Sequence, residues 1–110
     1  KPDAAFYGHW MGSPRSDEYL GKMAAAAVEA LNLGKGPQID FLGVSFSALD
    51  LVGHAYGPNS HEVQDVVARL DVTIGELLAF AKDQLMVDYV FWCTEEPYYS
   101  TELIPFLNRH

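Results

Sequence analysis

Ile39-Asp40-Phe41-Leu42-Gly43-Val44-Ser45-Phe46 is the run on which the expected fold turns. It is mostly apolar, and Asp40 is its one charge. A short apolar run of this kind suits a strand buried on both faces, as in a parallel sheet. Downstream, residues 47–60 read as a loop, with Gly53, Gly57 and Pro58 as breakers. A helix is expected to open near Asn59 or Ser60, both good caps. Glu62 would lie in its first turn, where the helix dipole favours an acid. Val63, Val66, Val67, Leu70, Ile74, Leu77 and Leu78 form its apolar face, and Asp65, Arg69, Glu76 and Lys82 fit the other side. A last strand is expected at about residues 88–93. Upstream, Gly34-Lys35-Gly36-Pro37 stops an earlier helix. That helix opens at Ser13-Pro14, with Ser as cap and Pro in the first turn. Tyr19, Leu20, Met23, Ala27, Val28 and Leu31 recur along it at three- and four-residue steps. Residues 1–15 read as irregular and aromatic.

Helix, strand, helix, strand predicts an α/β fold with parallel strands and right-handed crossovers. Two strands make a poor sheet, because parallel strands need neighbours and cover on both faces. Residues 1–110 are therefore expected to be one partial domain, part of a larger parallel sheet flanked by helices. The chain opens on Lys1-Pro2-Asp3, without an initiator Met, which adds to the expectation of an internal fragment. Apolar residues make up 49% of the 110 positions, enough for a core. The net charge of −8 disfavours duplex nucleic acid or an anionic membrane as partner. An acidic protein still takes phosphate esters where a metal supplies local positive charge. No apolar run approaches the roughly 18 residues of a membrane-spanning helix. Cys93 is the single cysteine, so no internal disulfide forms and the redox compartment is not readable.

The chemistry concentrates in Asp50-Leu51-Val52-Gly53-His54-Ala55-Tyr56-Gly57-Pro58. Ligand sites of open α/β sheets gather at the carboxyl ends of strands, where this segment is expected to lie. Asp and His are both good zinc ligands, and four positions apart in one turn they can grip one cation. Gly53 removes a side chain beside the metal. Taken alone, an Asp and a His at this spacing more often belong to an ordinary solvated loop; the flanking residues change the balance. Ser45-Phe46-Ser47 precedes the segment, and Ser60-His61-Glu62, Asp65 and Arg69-Leu70-Asp71 follow it. Trp10, Ser13-Pro14 and Asp17-Glu18 lie upstream.

Together these residues resemble the alkaline phosphatase superfamily, and most closely its type I phosphodiesterase / nucleotide pyrophosphatase branch, over about residues 10–90. The resemblance implies a two-zinc hydrolase of phosphate esters that works through a covalent phospho-enzyme. It makes Asp50 and His54 ligands of one zinc, with the Thr or Ser nucleophile upstream of this chain and a further His ligand downstream. It also implies an extracytoplasmic location and a small-molecule phosphate ester as substrate. The pattern then breaks. Where the family carries Asp-His-Gly after the next strand, this chain reads Cys93-Thr94-Glu95-Glu96-Pro97. Glu96 can stand in weakly for the Asp, but Pro97 offers no ligand atom in place of the His. Residues 91–110 are thus a divergent tail, and a noncatalytic remnant that binds one metal weakly is the alternative to a hydrolase fragment. His9 and His61 read as packing and solvated residues, and Asp65, Arg69 and Asp71 as helix-surface pairing.

Overall fold

The computed structural model describes residues 2–84, which form four helices. They are α1 (Ala4–Met11), α2 (Pro14–Leu31), α3 (Ala48–Tyr56) and α4 (His61–Gln84). The expected α/β architecture is overturned: the described residues contain no strand and no parallel sheet. Residues 39–47 follow no regular secondary structure. The physical reason is that a strand is completed by a neighbour's backbone, and no described segment runs alongside this one. Its side chains are correspondingly uncovered, with Ile39 100% and Phe41 89% exposed. The strand expected at residues 88–93 and the tail from residue 91 lie outside the described residues.

Two further expectations are corrected. The aromatic amino-terminal segment is helical as α1, because the Asp3 carboxylate caps it, Oδ1 accepting the Phe6 N–H at 2.9 Å. The segment expected as a loop at residues 47–60 is mostly helix α3, since Ala48 and Val52, four apart, bury one face and outweigh the propensity cost of Gly53.

The other two helices form where the periodicity places them. At the start of α2, Pro14 occupies the first turn. The Ser13 hydroxyl makes no cap bond; it donates back to the Trp10 carbonyl at 2.8 Å. The helix ends on Asn32 in the left-handed region (φ 52°). There the Leu33 N–H reaches the Val28 carbonyl and the Asn32 N–H the Glu29 carbonyl, a Schellman pattern. α4 opens as expected, with Ser60 Oγ accepting the Val63 N–H at 3.2 Å.

Packing uses narrow faces. Asp17, Gly21, Ala24 and Val28 of α2 are buried at steps of four, three and four. Val66 and Thr73 are the buried residues of α4. The two helices meet at Gly21, where a Cβ would stand 2.8 Å from Thr73 Cγ2. Arg69 lies 3.9 Å from Glu18 a turn before that crossing. Residue numbers rise together on both sides of the contact, so α2 and α4 run parallel. Against the first half of α4 sits α3, where Ala48, Val52 and Val66 form a small core flanked by Leu49 and Val63.

Candidate metal centre

The direction in which Asp50 and His54 face follows from the opposite side of α3. Ala48 and Val52 are turned into the core, 1% and 3% exposed. Asp50 and His54 share a second stripe four residues apart, and it points to solvent. Asp50 lies in the first turn of α3, where the helix amino end favours an acid, and His54 lies in the last. Gly57, at φ 86°, then turns the chain out of α3 and towards the cap of α4.

His54 Nε2 stands 3.2 Å from Asp50 Oδ1, with side chains 82% and 63% exposed. Two donors each ~2.1 Å from one zinc ion stand ~3.4 Å apart at a tetrahedral angle. The pair makes an exposed side-chain contact one helical turn apart, and two donors at this separation can also be neighbouring ligands of one cation. A Cβ at Gly53, beside His54, would meet nothing within 4 Å, so this side of the helix is open. Among the described residues no group of three or more His, Cys, Asp and Glu side chains converges as a metal site. Glu96, the weak third candidate, lies outside the described residues. His9 and His61 are exposed and stand apart from the pair. Arg69 does serve surface pairing, its Nε donating to both Asp65 carboxylate oxygens at 3.1 and 3.0 Å.

Asp17 is the residue whose role the sequence reading missed. It is 3% exposed, and its Oδ1 accepts the Ala48 N–H at 3.4 Å, at the amino end of α3. Its Oδ2 is buried without a partner. Burial pushes its carboxyl above the ordinary value, while hydrogen bonds from the Ala48 and Ser47 backbone pull the other way. The available signal was an acid on the same stripe as Gly21, Ala24 and Val28.

Comparison with known proteins adds the lineage. The family model described as type I phosphodiesterase / nucleotide pyrophosphatase matches residues 6–91. Alkaline phosphatase PhoK of a Sphingomonas species is 38% identical over 95 residues, covering 86% of this chain and 17% of its own length. Alkaline phosphatase PhoV of Synechococcus elongatus is 42% identical over 65 residues, 59% of this chain and 12% of its own. Alkaline phosphatase PhoD of Zymomonas mobilis is 38% identical over 84 residues, 76% of this chain and 14% of its own. The chain therefore spans less than a fifth of the length of these relatives. No solved structure matches it. With the family model covering most of the chain, including the Asp50–His54 segment, the chain belongs to the type I phosphodiesterase / nucleotide pyrophosphatase family of the alkaline phosphatase superfamily.

Proposed function

We propose that this chain is the part of a zinc-dependent phosphate-ester hydrolase that supplies two ligands, Asp50 and His54, to one metal ion. The observation that carries the reading is their 3.2 Å approach on the open face of α3, within the segment matched by the family. A cation bound there would supply Lewis-acid polarisation of a phosphoryl oxygen. The chain's own share is to hold that ion: a carboxylate oxygen and an imidazole nitrogen, aimed from one rigid turn by the packing of Ala48 and Val52. The substrate class is a small phosphate ester, consistent with the relatives' names, and an extracytoplasmic setting goes with that class of enzyme. Among the described residues no helix is long and apolar enough to cross a membrane.

A second reading has its own observation. Glu96-Pro97 occupies the place where a metal-binding Asp-His is expected, which favours a noncatalytic chain with one weak metal site.

Hydrolysis of a chromogenic phosphodiester and a chromogenic phosphomonoester, with and without zinc, separates the two. In a full-length protein carrying these residues, zinc-dependent turnover is expected to be lost in His54→Ala. Full activity in that variant would show that the ligand assignment is wrong. The 110 residues alone are expected to give no turnover above background, because the resemblance places the nucleophile that turnover needs upstream of them.

A further inference from the structure

A carboxylate buried on the packing stripe of a helix is costly unless something accepts its charge. For Asp17 that something is the amino end of α3. Ser47, the residue before α3, makes no side-chain cap bond. The acceptor comes instead from α2, across 31 positions of sequence, as Asp17 Oδ1 takes the Ala48 N–H. The partial positive charge of a helix amino end favours an anion there. This anchor matters because α3 is only nine residues long. Isolated helices that short are not stable, so its direction depends on tertiary contacts. One is the core contact of Ala48 and Val52 with α4. The other is Asp17, which attaches at Ala48, two positions before Asp50.

We propose that Asp17 is a positioning residue: by capping α3 from α2 it sets the direction of that helix, and with it the face on which Asp50 and His54 are presented to a metal ion. The second half of this statement rests on the reading of Asp50 and His54 as ligands. Asp17 touches neither ligand, so its effect reaches the site through the backbone of Ala48.

The test uses the 110-residue chain with cobalt(II) as probe. Cobalt affinity is read from visible absorption, and the anchor is read separately from amide hydrogen exchange at residues 51–54. Losing a cap is worth about a fivefold change in a local equilibrium. Asp17→Ala is therefore expected to weaken cobalt binding and to speed exchange at residues 51–54 by about that factor, with α4 amides unchanged. Asp17→Asn keeps an acceptor in place and is expected to retain both properties. Asp17→Glu keeps the charge but displaces the acceptor, and is expected to lose both; it carries the test if Asp17→Ala does not fold. Wild-type exchange and affinity in Asp17→Ala and Asp17→Glu would overturn the proposal. Should His54→Ala bind cobalt as the wild type does, the ligand reading fails. Exchange alone then decides the anchor: faster in Asp17→Glu supports it, unchanged overturns it.

Discussion

Asp50 and His54 stood out in the sequence through the family motif around them, since residue type and short spacing alone describe many solvated loops. Their side chains do come together, at 3.2 Å. Asp17 is the opposite case. It is one acid among many in an acidic chain, and only burial distinguishes it. Its raised carboxyl has a consequence for stability. The folded state holds the proton more tightly than the unfolded chain, whose value is near 3.8. The stability linked to this group is therefore full below that value and is lost as pH rises through the raised one. Asp17→Asn cannot ionise and lacks this dependence. The denaturant midpoint of Asp17→Asn relative to wild type is expected to climb as pH rises above 3.8 and then level off. A difference that stays flat with pH would show that Asp17 titrates normally. The same substitution leaves the acceptor for Ala48 in place, so the effect is separable from the cap.

At the scale of elements, the spans of α2 and α4 follow from sequence periodicity, but Tyr19, Met23, Leu31, Val67 and Leu78 of the expected apolar faces are exposed, and the shared face turns on one close approach. Gly21 lies against Thr73 so tightly that a Cβ would come within 2.8 Å of the Thr73 methyl. Thr is stiff at χ1 and cannot swing that methyl away cheaply. Gly21→Ala gains about 1 kcal/mol of helix propensity but meets overpacking of roughly 1–3 kcal/mol. A net loss of about 1 kcal/mol is expected in thermal or denaturant unfolding. Adding Thr73→Ser removes the methyl and is expected to recover most of that loss, a non-additivity that a double-mutant cycle measures. If Gly21→Ala is as stable as wild type, the helices do not approach this closely. The helices α1 and α3 were harder to read. For α1 the cap at Asp3 was available, but its aromatic residues suggested no single face. For α3 the glycines at positions 53 and 57 signalled a loop, while the buried pair Ala48 and Val52 decided for helix.

On the whole molecule, the described residues bury little and leave much apolar surface open. The core consists of Ala24, Val28, Ala48, Val52 and Val66, all small or medium in size, while Phe6, Tyr7, Met23, Ile39 and Phe41 are exposed. Exposed apolar surface of this kind drives association. The 110-residue chain is expected to self-associate as its concentration rises, seen as a shift in sedimentation coefficient. Ile39→Asp with Phe41→Asp is expected to reduce that shift, and an unchanged one would place the sticky surface elsewhere. Sequence by itself determined the family and the positions of α2 and α4, because motif spacing and helical periodicity are local properties. It could not settle the fold class. Residues 39–46 have the composition of a buried strand, but a strand exists only where another backbone pairs with it, and among the described residues none does. Tertiary structure alone also decided that α3 is a helix and that Asp17 caps it, since both depend on contacts between residues far apart in the chain.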